Sequence, residues 1–169
     1  NDATALGIGM VHQHFMLVPS LTVAENIILG VAPKKGLFID MDKAIKAAED
    51  IAKEYNFDID VRQKVEEIPV GIKQKVEILK ALYRGAEILI LDEPTAVLTP
   101  QETDELFIQL MKLREKGHTI IFISHKLDEI KKICDRATIM RNGRSMGTYE
   151  VKDISTQEMS RLMVGREVS

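Results

Sequence analysis

Two short, continuous apolar runs, Ile88-Leu-Ile-Leu91 and Thr119-Ile-Ile-Phe-Ile123, constrain this chain more than any other feature. Both are too short for an ordinary helix and lack the apolar–polar alternation of a half-exposed strand. Runs of this kind mark strands buried on both faces, as in a parallel sheet covered by helices. Segments with helical spacing separate and flank them, and strands alternating with helices predict an α/β domain with a largely parallel sheet. A chain of 169 residues with 45% apolar content suffices for one such domain with a sizeable core.

Local signals place the remaining elements. A first strand is expected at Ile8–His12. Thr22-Val-Ala-Glu25 is a capping box, in which Thr22 accepts from the helix and Glu25 reaches back, so a short helix should run to about Gly30. Pro33–Gly36 breaks the chain. A longer helix follows from about Met41, with Ile45, Ala48, Ile51, Ala52 and Tyr55 on one face. Beyond a polar link, Pro69-Val-Gly71 opens a helix with Ile72, Val76, Leu79 and Tyr83 facing inward, which makes residues 22–84 an almost purely helical block. Thr99-Pro-Gln-Glu102 is a second capping box with proline at the first helical position, and its helix should reach about Lys116. A helix over 126–134 carries Leu127, Ile130, Ile133 and Cys134 on one stripe. Ala137–Arg141 and Arg144–Tyr149 flank Asn142-Gly143, a strong hairpin signal, and Ser155-Thr-Gln-Glu158 is a third capping box opening a terminal helix.

Charge and composition remove several function classes. Lys and Arg number 23 against 26 Asp and Glu, and a net charge of −3 argues against a dedicated nucleic-acid binder. A single cysteine excludes a disulfide within the chain and fits a reducing compartment. No apolar run approaches the roughly 18 residues of a membrane span.

Both apolar runs end in polar residues that packing does not require. Leu91 is followed by Asp92-Glu93-Pro94, and Ile123 by Ser124-His125. Ligands of open α/β sheets bind at the carboxyl ends of the strands, so these two tips are expected to share one crevice. Adjacent carboxylates suit a phosphate-bound Mg²⁺: one orients the metal, and the next positions a water for in-line attack. A histidine on the neighbouring tip can hydrogen-bond the transferred phosphoryl group or hold that carboxylate. A turn before a helix explains Asp-Glu-Pro alone equally well, as a helix start explains His125; the two together favour chemistry.

These residues carry a resemblance. Ile88-Leu-Ile-Leu-Asp-Glu-Pro-Thr95 resembles the Walker B strand of ABC-type ATPases, and Ile121-Phe-Ile-Ser-His125 their H-loop. Ile8-Gly-Met-Val-His-Gln13 with Leu21-Thr-Val-Ala-Glu-Asn26 is similar to the Q-loop and the helix behind it. Ile68-Pro-Val-Gly-Ile-Lys-Gln-Lys-Val-Glu-Ile-Leu-Lys-Ala-Leu82 is similar to the signature segment and its helix. The four motifs stand in the family's order over nearly the whole chain, and their wording is most like the sugar and nucleoside import ATPases, in which two modules are usually fused. The resemblance implies a P-loop NTPase-like α/β fold with a mostly parallel sheet and a helical subdomain. Its parts would be a Q-loop strand region over 1–20, the helical subdomain with the signature over 21–85, and the core with Walker B, D-loop and H-loop over 86–169. It implies ATP and Mg²⁺ as cofactors. Glu93 would polarise the attacking water, Asp92 would hold Mg²⁺ through its shell, and Gln13 would sense metal and γ-phosphate. His125 would be the switch on the γ-phosphate, and free amides at Gly71 and Ile72 would face a phosphate of the opposite module.

The chain departs from the family pattern at three places. No G-x-x-x-x-G-K-[ST] occurs, and Gly7-Ile-Gly9 is not a phosphate loop, so the residues are expected to be a piece of a longer protein cut after its P-loop, with the Walker A strand missing. Such a piece is expected to bind ATP poorly by itself and to rearrange, swap or pair with another molecule where a central strand is lost. Pro69 stands where the signature has serine and offers neither hydroxyl nor N–H. Thr99 stands where the D-loop usually has aspartate. Both changes would weaken the nucleotide site completed by this signature, while Glu93 and His125 keep their own. His12 and His14 lack further zinc ligands nearby in sequence, Cys134 reads as a small core residue, and Lys34-Lys35 as a solvated loop.

The implied partners are a second ABC ATPase module, transmembrane permease subunits touched by the helical block, and indirectly a solute-binding protein, with no nucleic acid. The implied location is peripheral, on the cytoplasmic side of the membrane. Two other readings compete: a degenerate regulatory or structural half with little turnover, favoured by Pro69, and an ABC-type ATPase of DNA repair, disfavoured by the charge balance and the absence of a coiled-coil insertion.

Overall fold

The computed structural model describes residues 6–12, 14–29 and 40–165, and the chain divides into two compact units, Asn1–Ile123 and Ser124–Ser169. The expected break at Pro33–Gly36 lies outside the described residues.

In the first unit, β1 (Ile8–Val11), β2 (Ile88–Asp92) and β3 (Thr119–Ile123) form a parallel sheet in the order β1-β2-β3. Ile90 of β2 lies opposite Met10 of β1 and Ile121 of β3, which makes β2 the central strand, with Leu89 and Leu91 fully buried. The helices are α1 (Val23–Leu29), α2 (Met41–Glu54), α3 (Val70–Tyr83) and α4 (Pro100–Glu115). Parallel strands need long crossovers. Here β1 reaches β2 through α1 to α3, and β2 reaches β3 through α4.

The expectation that β3 is buried on both faces is corrected. It alternates: Ile121 and Ile123 are 46% and 45% exposed, whereas Ile120 and Phe122 are half-buried. Phe122 packs edge-on against Phe107 of α4 with ring centroids 5.9 Å apart, so α4 covers one face, and the other is open at the end of the sheet.

The two capping boxes of this unit form as expected. Thr22 Oγ accepts from the Glu25 amide at 3.1 Å while the Glu25 carboxylate accepts from the Thr22 amide, and Thr99 and Glu102 do the same at α4. The apolar stripe of α2 is centred on its alanines: Ala44, Ala48 and Ala52 are buried, but Ile45, Ile51 and Tyr55 only half so. α3 is covered nearly all round, burying Val76 and Leu79 as expected and also Gln74, Glu77, Ile78, Ala81 and Leu82, while Ile72 and Tyr83 are half-buried. It passes so close to β1 that a Cβ at Gly9 would lie 2.8 Å from Ala81 Cβ and 2.9 Å from Ala86 Cβ. That contact is the use of Gly9.

The second unit holds α5 (Leu127–Ile133), a hairpin of β4 (Arg136–Arg141) and β5 (Arg144–Glu150), and α6 (Thr156–Val164). Asn142 (φ 50°) and Gly143 (φ 73°) are both left-handed, the backbone a type I′ turn requires. On α5 only Ile130 is fully buried; Leu127, Ile133 and Cys134 are half-buried. The third capping box forms by half. Ser155 Oγ accepts from the Glu158 amide, but the Glu158 carboxylate pairs with Arg161 one turn on, because a charge-assisted bond outcompetes a neutral amide.

Gly9→Ala is expected to overpack the β1–α3 contact and destabilise the first unit by about 1–3 kcal/mol, read from the urea midpoint.

Candidate functional site

The β2–β3 ladder runs one bond past the strand. Asp92 is the last residue of β2, paired with Ile123, and the Glu93 amide still donates to Ile123 O at 2.9 Å. At Glu93 the chain turns sharply away with φ 46°, a left-handed conformation that disfavours any residue with a Cβ. Ala96 N donates to Glu93 O and Leu98 N to Thr95 O, so a compact turn with buried Pro94 and Thr95 leads to the Thr99 cap of α4. The Asp92 and Glu93 side chains, both half-buried, thus stand on consecutive residues at the carboxyl end of the central strand. Oxygen donors there match the preference of Mg²⁺, which takes one or two protein carboxylates and completes its shell with phosphate and water.

The amino end of α3 differs from expectation. Its N-cap is Pro69, which makes no side-chain cap bond. The Gly71 amide, expected to be free, donates at 2.7 Å to Glu102 Oε2, and the Ile72 amide donates to Pro69 O at 3.1 Å. The other Glu102 oxygen accepts from the Thr99 amide at 3.0 Å, so one carboxylate serves two helix starts. These bonds, Thr99's first, hold the Glu102 carboxyl below the usual carboxylate range against the effect of burial. Lys75 and Glu105 add an ion pair between the same helices at 3.7 Å. A capping box seen in the sequence shows that one glutamate oxygen is used; that the second reaches a helix 31 residues away has no sequence signal.

Gln13 lies outside the described residues. The segment after it is pinned twice. The Met16 amide donates to Glu77 Oε1 at 2.8 Å, and Lys80 Nζ donates to Met16 O at 3.0 Å. Two residues on, buried Asn26 accepts from the Val18 amide at 2.8 Å and donates back to Val18 O. Glu77 is 4% exposed, and burial pushes its carboxyl up against the opposing pull of Lys80; burial likewise pushes the Lys80 ammonium down. Both line a cleft of about 260 Å³ beside β1, with His12, Met10 and Arg84. The sequence reading missed this clamp, although a glutamate and an asparagine set into apolar helix faces were its signal.

His125 is exposed and belongs to the second unit, two residues beyond the end of β3. Ser124 Oγ accepts from the Lys126 amide at 3.0 Å and shapes the turn that carries it. Cys134, half-buried at the end of α5, has its thiol pushed up to about 11 by burial and then by Asp135.

A family profile described as ABC transporter matches residues 2–96. The chain is 52% identical over its whole length to the nucleoside import ATP-binding protein NupA of Lactococcus lactis subsp. cremoris and 54% to the guanosine import ATP-binding protein NupO of Bacillus subtilis, covering 33% of each. It is 42% identical to the ribose import ATP-binding protein RbsA of Hahella chejuensis, covering 34% of it. The chain therefore spans about a third of the length of the curated relatives it matches. A solved nucleotide-free ATP-binding cassette from an ABC transporter superposes with a TM-score of 0.76 at 22% identity, over 98% of this chain and 67% of that one. The cbiO1 component of the cbiONQ complex of Clostridium perfringens superposes with a TM-score of 0.71 at 27% identity, over 87% of this chain and 58% of that one.

A thiol near 11 is almost wholly protonated at neutral pH, so Cys134 is expected to alkylate with iodoacetamide at well under a tenth of the rate of free cysteine at pH 8. The rate should climb about tenfold per pH unit until the thiol titrates.

Proposed function

The chain belongs to the ABC transporter family, and on that premise we propose that it supplies the Walker B, signature and H-loop portion of an ATPase that powers import of a sugar or nucleoside-like solute. The observation that carries the reading is the pair of carboxylates on consecutive residues at the end of the central strand, with Glu93 kept in a left-handed backbone. Mg²⁺-bound ATP, when present, supplies the phosphoryl group and the metal that neutralises its developing charge. Asp92 would hold the metal, and Glu93 would accept a proton from the attacking water. His125 would steady the transferred group and Gln13 would report on metal and phosphate; the Gly71 and Ile72 amides, engaged here by Glu102 and Pro69 O, would turn to a phosphate bound by a second module once released.

The solute class follows the naming of the relatives as nucleoside, guanosine and ribose import proteins. A permease pair is the implied partner, with the helical block as the touching surface and a solute-binding protein further upstream. No helix among the described residues is long and apolar enough to cross a membrane, and the proposed place is peripheral, on the cytoplasmic face beneath the permease.

A second reading is favoured by one observation. Pro69 leaves α3 without a hydroxyl cap and the Gly71 amide is already engaged, as expected of a regulatory half with little turnover.

In the intact protein, Glu93→Gln is expected to lower steady-state ATP hydrolysis by about 10²–10⁴-fold while nucleotide still binds; activity within threefold of wild type would remove Glu93 from the chemistry. Pro69→Ser separates the two readings: a rise of several-fold in ATPase rate is expected if the proline weakens a working site, and an unchanged rate would favour the regulatory half.

A further inference from the structure

We propose that Glu102 is an internal occupant of the Gly71 amide, a carboxylate that an incoming phosphate must displace before α3 can receive it. The inference rests on the assignment of Gly71 to a nucleotide phosphate. It adds a residue that sets when that amide is free.

Three observations carry it. The Gly71 N–H already donates at 2.7 Å to Glu102 Oε2, and one N–H makes one good bond. The space beside Gly71 is also taken: a Cβ built there would overlap Oε2 and lie 2.9 Å from the carboxyl carbon. Finally, the occupant has the charge of the ligand. A phosphate and a carboxylate repel each other across a shared amide, so the two exclude one another rather than bind side by side.

The arrangement also shows how the carboxylate can leave without loosening the helices. Its second oxygen keeps the Thr99 amide of its own helix, and the Lys75–Glu105 pair holds α3 to α4 nearby. Withdrawal therefore needs a side-chain rotation, after which Thr99–Glu102 is an ordinary capping box. Pro69 makes the occupancy understandable, because α3 has no side-chain cap of its own and borrows one from α4. Glu102 is a positioning residue: it acts through Gly71 and touches no reacting atom.

The test follows the Gly71 amide resonance of the intact protein during titration with a non-hydrolysable ATP analogue and Mg²⁺, in wild type, Glu102→Gln and Glu102→Ala. Glutamine keeps an acceptor for Thr99 but turns an N–H₂ group toward Gly71; alanine removes both bonds. Loss of one charge-assisted bond at a partly exposed site is expected to lower the half-saturating concentration about three- to tenfold in both variants. Only Glu102→Ala is expected to lower Tm, and in ATPase assays the change should fall on KM rather than kcat. A Gly71 resonance that responds in all three proteins with one half-saturation overturns the occupant alone, as does a shift seen only in the alanine variant together with its lower Tm. A resonance that responds in none overturns the phosphate assignment and the occupant with it.

Discussion

The point at which the β2–β3 ladder stops determines where the paired carboxylates of the first unit stand. Parallel pairing holds β2 from Ile88 to Asp92, and the Glu93 amide adds a final bond to Ile123 before the backbone turns left-handed. A one-residue shift in that register would move the Asp92 and Glu93 side chains to opposite faces from those they now occupy, because side chains alternate along a strand. Leu89 and Leu91, both fully buried, fix the register by burying one face, so the core that stabilises the sheet also aims the carboxylates. Gly9 acts from the other side of β2: its missing Cβ lets α3 approach β1 closely, and α3 carries Gly71.

Most of the architecture was legible because its signals are local. Threonine and glutamate three residues apart fixed the starts of α1 and α4, Asn142-Gly143 fixed the hairpin, and two apolar runs marked β2 and β3. What was not legible depends on partners distant in sequence. Hydrophobicity cannot say whether a neighbour covers Ile121 and Ile123, and so β3 read as buried on both faces. The Ser155 box was half right because Arg161, one turn on, competes for Glu158. At the candidate site, residue types placed Asp92, Glu93 and His125 on their tips, whereas the engagement of Gly71 by Glu102 spans 31 residues and two helices.

Glu102 and Glu77 place charge by the same device. Each is a carboxylate on a helix that accepts from a backbone amide outside that helix, Glu102 from Gly71 and Glu77 from Met16. Such a bond gives the amide a charged acceptor, and it ties a loop or helix start to a rigid neighbour. Glu77, pushed up by burial, is the costlier of the two; Lys80 beside it offsets part of that cost while its own ammonium holds Met16 O. The two residues together join the segments before and after the helical block to its last helix and to α4.

The left-handed backbone at Glu93 bears on the choice of residue there. Glycine at this position would relieve roughly 1–2 kcal/mol of strain. Backbone energy at this bend therefore favours the smaller residue, and the carboxylate stands there against that preference. At Pro69, which makes no side-chain cap bond, Glu102 of α4 caps the Gly71 amide, whereas at Glu93 the strain stays in the backbone itself. The residue that makes the last bond of the ladder is thus also the first strained one after it.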